Sequence, residues 1–210
     1  MILRKALRFS KHNQYDGILI LMSSHSPAKI LAFVGLPGAG KSSAVDYVAA
    51  KGIPKVYGGG LIVQGVKDLG WDVTPENEKK YREMKRAQEG NDVFIKMAAE
   101  QIQHIIDGGQ RKVLLDGLYT WSEYKFLKRM FPGELLNVAI VAPKHIRHRR
   151  LTKRPVRPLT HEEATERDWA EIENLEKGGP IAIADHYLIN DSSLDKLHAD
   201  IDSLTKELDF

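Results

Sequence analysis

Short apolar runs alternate along the chain with longer stretches in which apolar residues recur every three to four positions. The short runs predict buried strands, and the periodic stretches predict helices that pack on a sheet. Because the two kinds of element alternate, we expect an α/β fold in which helices cover both faces of a parallel sheet. The predicted strands are 30–34, 53–57, 112–116, 136–142 and 187–189. The predicted helices are 42–51, 61–69, 75–87, 92–106, 121–131, 144–154, 161–175 and 193–208.

Two insertions interrupt the alternation. The first is a helical stretch, 61–107, that follows the second strand and the three glycines at 58–60 predicted to end it. The second is a basic stretch, 144–175, between the fourth and fifth strands. Insertions at the carboxyl ends of parallel strands lie where ligands bind and can close over a substrate. We interpret 28–210 as one domain and 1–27 as an N-terminal extension that the domain does not need.

The most informative motif follows the first strand. Residues 35–42 read Gly-Leu-Pro-Gly-Ala-Gly-Lys-Ser and fit the phosphate-binding pattern G-x-x-x-x-G-K-[ST] at every fixed position. In this pattern glycines turn backbone N–H groups around a phosphate, and the start of the next helix adds partial positive charge. We therefore predict ATP as a ligand. The predicted nucleotide-binding residues of the loop are Gly35, Pro37, Gly38, Ala39, Gly40, Lys41, Ser42 and Ser43.

Catalytic and metal-binding side chains follow from the same motif. Lys41 is predicted to reach the β- and γ-phosphates, while the Ser42 hydroxyl is predicted to bind Mg²⁺. Asp116 ends the third strand, beside the loop in this type of fold, and is predicted to hold Mg²⁺ directly or through water. A structural role for Asp116, capping the turn before Gly117, is the alternative.

The second insertion is rich in cations. Seven lysines and arginines lie in 144–157 without any acidic residue, and most are expected to form a solvated face. Guanidinium groups stabilise the charge that builds up on a transferring phosphoryl group. Arg150 and Arg154 lie on one helical face because they are four residues apart, and Arg167 follows on the next helix. These three arginines are the predicted catalytic residues of this segment.

Cations of the first insertion are the candidates for binding an acceptor that carries phosphate. Arg82 is the predicted acceptor-binding residue of the insertion, together with Gly60 just before it. Surface solvation explains most of the other basic residues in this stretch.

The composition of the chain argues against several classes of function. The chain is 42% hydrophobic and 28% charged, as expected of a globular domain, and it contains no cysteine, which excludes disulfides and a cysteine nucleophile. The net charge of +3 argues against a broad nucleic-acid-binding surface. No apolar run approaches the roughly 20 residues that span a bilayer, so no membrane partner is predicted. The absence of cysteine suits a cytoplasmic location.

Several motifs occur together in the order typical of one group of enzymes. Besides the loop they are Val-Leu-Leu-Asp-Gly at 113–117, Arg-Leu-Thr-Lys-Arg at 150–154, Glu-Arg-Asp at 166–168 and Ile-Ala-Asp-His-Tyr-Leu-Ile-Asn at 183–190. From about residue 29 to 208 the chain resembles the nucleoside-monophosphate-kinase group of P-loop proteins. It is most similar to an archaeal-type family of small kinases related to adenylate kinase and dephospho-CoA kinase.

That resemblance implies a P-loop NTPase fold of three α/β/α layers, with five parallel strands in the order 2-3-1-4-5. It also implies that the insertion 61–107 binds the acceptor and that about 150–168 forms an arginine lid. Arg150 would then lie against the nucleotide base, and Arg154 and Arg167 would meet phosphates. Asn190 would be a further nucleotide-binding residue, since the loop after it would pass the adenine.

Two departures from the family pattern bear on the acceptor. Residues 116–119 lack the arginine that binds acceptor phosphate in adenylate-type kinases, and 57–60 lack the carboxylate that follows the second strand in dephospho-CoA kinases. A hydroxyl acceptor benefits from a base by roughly 10²–10⁴ in rate, whereas a phosphate acceptor is already ionised. The favoured hypothesis is therefore transfer of the γ-phosphate from Mg-ATP to a nucleoside monophosphate or a similar phosphorylated acceptor.

Alternative functions stay open at this stage. One is a dephospho-CoA-kinase-like transfer to a hydroxyl, and another is a nucleotide-dependent switch that acts on a protein or nucleic-acid partner. GTP as the donor is open as well, and the sequence pattern indicates no particular oligomeric state.

Overall fold

Five parallel strands form one sheet in a computed structural model that describes residues 27–155 and 157–210. Most of the predicted extension, 1–26, lies outside the described residues. The strands are β1 (Lys29–Val34), β2 (Lys55–Tyr57), β3 (Lys112–Asp116), β4 (Leu135–Val141) and β5 (His186–Ile189). Their order in the sheet is β2-β3-β1-β4-β5, which confirms the predicted order.

Helices cover both faces of the sheet, which confirms the three-layer fold. The helices of the described residues are α1 (Lys41–Ala49), α2 (Gly58–Asp68), α3 (Pro75–Glu89), α4 (Val93–Asp107), α5 (Trp121–Met130), α6 (Lys144–Lys153), α7 (His161–Glu173), α8 (Gly178–Ala182) and α9 (Leu194–Glu207). In these same residues, no helix combines the length and apolarity that crossing a bilayer requires.

The central strand explains why its sequence is continuously apolar. Ile30 and Ala32 of β1 pack into a core with α4 and α5, whereas Leu31 and Phe33 pack into a second core with α1 and α9. Side chains alternate between the two faces of a strand, and here both faces are covered. β1 pairs with β3 on one side and β4 on the other, so the loop after β1 and the end of β3 meet at one edge of the sheet.

The first insertion builds a small core of its own. Ile62 and Val66 of α2 pack against Tyr81 of α3, and Phe94 of α4 closes the cluster. This third cluster lies apart from the two cores that flank the sheet. The α2–α3 part of the insertion is therefore a small helical unit beside the carboxyl end of β2, whereas α4 also packs on the sheet.

Two elements differ from the sequence-based expectation. The glycines at 58–60 form the first turn of α2 instead of only ending the strand, since glycine accommodates helical backbone angles as readily as loop angles. The five-residue helix α8 was not expected, because its Gly-Gly-Pro start is typical of turns.

Substitution of Gly65 tests the packing of the insertion. Alanine normally stabilises a helix interior by about 0.8–1.0 kcal/mol relative to glycine. A Cβ at Gly65 would instead overlap the Tyr81 ring, so we expect Gly65→Ala to lower the free energy of unfolding by about 1–3 kcal/mol.

Gly58→Ala is the matched control, because no atom lies within 4 Å of a Cβ placed there. We expect it to be neutral or slightly stabilising in the same urea titration. Equal effects of the two substitutions would contradict the close contact between α2 and α3.

Candidate active site

The glycine-rich loop joins β1 to α1 and needs glycine for two reasons. Gly38 and Gly40 have φ angles of 77° and 106°, a region that residues with a side chain seldom adopt. A Cβ on Gly38 would also stand 2.6 Å from the carbonyl oxygen of Arg147, and one on Gly40 would collide with the Asn190 amide. The loop is thus packed closely against α6 and the end of β5.

Side chains behind the loop hold its carbonyl groups. Arg147 Nη1 donates to the Pro37 carbonyl at 3.0 Å, and Asn190 Nδ2 donates to the Ala39 carbonyl at 2.8 Å. In a trans peptide the C=O and the following N–H point in opposite directions, so the N–H groups of Gly38 and Gly40 point away from these two side chains. Within the described residues neither N–H has a hydrogen-bond partner. Together with the free N–H groups at the start of α1, they form an anion-binding cradle.

Lys41 and Asp116 meet next to this cradle. Lys41 Nζ lies 3.4 Å from Asp116 Oδ1, and both side chains are largely buried. The Ser42 hydroxyl and the Asp116 carboxylate are hard oxygen ligands of the kind that Mg²⁺ prefers. The described residues contain no group of three or more His, Asp or Glu side chains arranged to hold a metal. Proteins commonly bind Mg²⁺ through only one or two carboxylates, with water and substrate phosphate oxygens as the other ligands.

A cavity of about 580 Å³, which we call the loop cavity, lies over the loop and brings most of the predicted residues together. Its lining residues are Gly35, Leu36, Pro37, Gly38, Gly40, Lys41, Ser42, Ser43, Tyr119, Arg150, Leu151, Arg154, Arg167, Glu171 and Lys177. Five cationic side chains therefore face one carboxylate. Such an excess of positive charge suits a polyphosphate.

Two predicted nucleotide-binding residues do not line the loop cavity. Ala39 is buried in the core beneath the loop, and Asn190 is buried behind it. Arg150 does line the cavity, yet it also donates to the Asn190 carbonyl at 3.0 Å and to the Asn190 side chain at 3.1 Å. In the structure Asn190 and Arg150 thus brace the loop.

A buried polar network connects α6 to α7. Arg147 donates two hydrogen bonds, of 2.6 and 2.7 Å, to the two carboxylate oxygens of Asp168. His148 Nε2 lies 3.0 Å from Asp168, and its Nδ1 lies 3.3 Å from Nδ1 of His161. Burial alone would raise the pKa of Asp168, but the hydrogen bonds from Arg147 and His148 hold it below its ordinary value. Sequence reasoning missed this network, because Arg147 stands in a basic run that predicts a solvated face.

A second lysine faces the loop cavity, and no sequence pattern singles it out. Lys177 precedes α8, is almost fully buried and is ion-paired with Glu171 of α7. Burial lowers the pKa of Lys177, and the pairing with Glu171 offsets only part of that effect. Both lysines lie near the ring of Tyr119, whose centroid is 5.2 Å from Lys41 Nζ and 5.1 Å from Lys177 Nζ.

A second cavity, of about 350 Å³, opens on the other side of Tyr119. We call it the insertion cavity because α2, α3 and α4 provide much of its wall. Its lining residues are Tyr57, Gly58, Gly59, Ile62, Glu78, Arg82, Arg86, Phe94, Ile95, Ala98, Leu115, Gly117, Tyr119, Thr120, Glu123 and Leu175. The structure thus brings Arg82 into a cavity next to the loop, whereas Gly60 does not line it and Gly58 and Gly59 do.

Of the charged side chains that line the insertion cavity, Glu123 is hydrogen-bonded, whereas Arg82 and Glu78 are not paired within the described residues. Glu123 accepts hydrogen bonds from the backbone N–H groups of Tyr119 and Thr120 at the start of α5. Arg82 and Glu78 form no ion pair or side-chain hydrogen bond within the described residues. These two groups are free to meet a ligand.

Comparisons with known proteins agree with this geometry. A family model described as an AAA domain matches residues 31–174. The chain is 32% identical to the UPF0200 protein TK1334 of Thermococcus kodakarensis over 182 residues, which cover 85% of this chain and 97% of that protein. These matches confirm the resemblance to a P-loop kinase-like family.

Solved structures share the fold at low sequence identity. TT1252 from Thermus thermophilus has a TM-score of 0.56 at 19% identity, with 87% of this chain and 99% of that chain covered. Shikimate kinase from Bacteroides thetaiotaomicron has a TM-score of 0.55 at 13% identity, with the same coverage of both chains. The likeness therefore extends over nearly the whole described domain.

Replacement of Arg147 tests whether the buried ion pair holds the loop. Arg147→Met leaves the Asp168 carboxylate buried without its main partner, which typically costs about 3–5 kcal/mol of stability. We expect Arg149→Met, on the exposed side of the same helix, to change stability by less than about 0.5 kcal/mol. Thermal unfolding followed by circular dichroism measures both, and equal midpoints would contradict the assigned role.

The pH dependence of stability tests the state of Asp168. Because its pKa is lowered on folding, its ionised form stabilises the fold above the unfolded pKa of about 3.9, and this contribution is lost as pH falls through the folded pKa. Unfolding free energies of the wild type and Asp168→Asn should differ at pH 5 and converge as the pH is lowered below about 4. A difference that persists unchanged down to pH 2 would argue against a lowered pKa.

Proposed function

The chain belongs to the UPF0200 family and to the AAA domain family of P-loop proteins, and from this membership and its site we propose that it is a small-molecule kinase. It transfers the γ-phosphate of Mg-ATP to a nucleoside monophosphate or a similar phosphorylated acceptor. The main support is that a cationic cavity over the loop adjoins, at Tyr119, a second cavity in which Arg82 and Glu78 have no ion pair within residues 27–155 and 157–210. Two adjoining ligand sites fit a transferase better than a switch, which needs only the first.

The donor half of the proposal rests on the loop cavity. The cradle of backbone N–H groups binds the β- and γ-phosphates, and Lys41 adds a mobile positive charge. Ser42 and Asp116 would hold Mg²⁺, which bridges phosphate oxygens and neutralises their charge. Arg154 and Arg167 face the same space and stabilise charge on the transferring group.

The acceptor half rests on the insertion cavity. Arg82 binds an anionic group of the acceptor because its side chain has no ion pair or hydrogen bond among the residues that the structure describes. The more exposed Arg86 flanks it one turn further along α3. Tyr57 and Phe94 offer aromatic faces to a flat ring. An acceptor with a phosphate at one end and a base at the other matches this combination of walls.

A hydroxyl acceptor is the second candidate, and Glu78 favours it. No carboxylate follows β2 directly, but Glu78 lines the insertion cavity and supplies a carboxylate there. Burial raises the pKa of Tyr57, and Asp116 and Glu78 both add to that effect, so both carboxylates are within electrostatic reach of this ring. Glu78 would then take the proton from the attacking hydroxyl.

A panel of acceptors tests the proposal and separates the two candidates. Purified protein is incubated with Mg-ATP and nucleoside monophosphates, dephospho-CoA, hydroxy acids or sugars, and ADP formation is measured with each. We expect a monophosphate to raise turnover far above the rate without acceptor, and Lys41→Ala to abolish this increase while the fold stays intact. ATP hydrolysis that no acceptor stimulates would argue for the switch, and stimulation by an unphosphorylated alcohol alone would favour the second candidate.

Arg82→Gln tests the acceptor site. A charge-assisted hydrogen bond contributes about 1.5–3 kcal/mol, so the KM for the acceptor should rise by roughly 10- to 100-fold while the KM for ATP stays within about twofold. Lys79→Gln is the matched control, because Lys79 lies on the same helix, is exposed and does not line the cavity. Equal changes of KM in the two variants would contradict the assignment of Arg82 to the acceptor site. A larger change in the KM for ATP than in the KM for the acceptor would contradict it as well.

A further inference from the structure

Lys177 occupies an unusual position for a lysine. Its side chain is only 6% exposed. Lysine side chains are almost never fully buried unless they are paired. It lies outside all the recognised motifs, in the short connection between α7 and α8. Nevertheless it lines the loop cavity together with Lys41, Arg154 and Arg167.

The ion pair with Glu171 does not account for this burial. A buried salt bridge adds little net stability, because desolvation of both charges offsets their attraction. Glu171 is also shared, since Arg167 Nη2 lies 3.5 Å from its other oxygen. Two cations and one carboxylate leave a surplus of positive charge at the cavity wall, and an anionic ligand would balance it.

Tyr119 sets the position of Lys177 relative to the loop lysine. Both ammonium groups lie just over 5 Å from the centroid of the same ring, so their separation is at most about twice that distance. Tyr119 is also the residue shared by the loop cavity and the insertion cavity. Lys177 therefore stands close to the place where a donor phosphate would meet an acceptor.

We propose that Lys177 is a second phosphate-binding lysine of the site, which contacts the transferring phosphoryl group together with Lys41. This inference rests on the proposed function. In the transfer, an electron pair of the acceptor oxygen forms a bond to the γ-phosphorus, and the bond to the β–γ bridging oxygen breaks with its electron pair retained by ADP. Lys177 donates hydrogen bonds to non-bridging oxygens and passes on no proton.

Glu171 holds Lys177 when no phosphate is bound. The carboxylate keeps the ammonium group charged and aimed into the cavity, but it also competes with the phosphate for the same N–H groups. Removal of the lysine should therefore weaken nucleotide binding, whereas removal of the carboxylate should leave it unchanged or strengthen it. A purely structural ion pair would make the two variants behave alike.

The test compares Lys177→Met with Glu171→Gln, and uses Lys153→Met of the exposed face of α6 as the control. For each variant, calorimetry measures the affinity for inorganic triphosphate and for ATP, and circular dichroism measures the melting temperature. The value of kcat is measured with the acceptor that the panel identifies. We expect Lys177→Met to weaken triphosphate binding about tenfold or more and to lower kcat by about 10²–10³, as for loss of one preorganised donor. Glu171→Gln should bind triphosphate as tightly as the wild type or more tightly.

The inference is overturned if Lys177→Met matches Lys153→Met in both triphosphate affinity and kcat, or if Lys177→Met and Glu171→Gln weaken binding equally. Should Lys177→Met fail to fold, Lys177→Arg must retain most triphosphate affinity and Glu171→Gln must not weaken it. Failure of the kinase proposal is distinguishable: no acceptor is then phosphorylated, while triphosphate still binds more weakly to Lys177→Met. Unchanged transfer by Lys177→Met would instead leave the kinase proposal intact.

Discussion

The orientation of the peptide groups between Pro37 and Gly40 is the constraint on which the rest of the site depends. A backbone cradle binds an anion only if its N–H groups stay turned toward the ligand without one bound. Arg147 and Asn190 impose this orientation from behind by holding carbonyl groups. Arg147 is in turn fixed by Asp168, so the conformation of a loop on the central strand is coupled to the packing of α6 against α7.

The contact between α6 and α7 also positions the arginine side chains that line the loop cavity. Because the buried pair joins α6 to α7, a connected unit presents Arg150 of α6, Arg154 directly after α6 and Arg167 of α7 to the loop cavity. Arg154 lies outside the helix, because its backbone is extended, so the predicted shared helical face with Arg150 is wrong. Because the two helices are already held together, less backbone conformational entropy is lost when a ligand orders them than three independent segments would lose. Electrostatic preorganisation of this kind is the main way in which proteins stabilise phosphoryl transfer.

The sequence predicted the features of the site that a contiguous stretch of residues forms. The apolar run, the glycines and the helix start are contiguous, so the loop and Lys41 follow from the sequence, and Asp116 follows as a polar residue at the end of a buried strand. The strand order came from the resemblance and was confirmed. Arg147 and Lys177 were not found, because their burial depends on partners 21 and 6 residues away on other elements. The charge of a residue in a basic run says nothing about which face a distant helix will cover. The roles assigned to the predicted residues stay predictions.

The separate small core of the insertion has a consequence for how this architecture diversifies. The cluster around Ile62, Val66 and Tyr81 shares no member with the cores that flank the sheet, while the loop and Asp116 belong to the sheet. Substitutions that change the packing between α2 and α3 can therefore accumulate with little effect on the loop, whereas α4 also packs on the sheet and is more constrained. The part of the insertion cavity wall that α2 and α3 provide can thus change to fit different ligands while the glycine-rich loop stays the same.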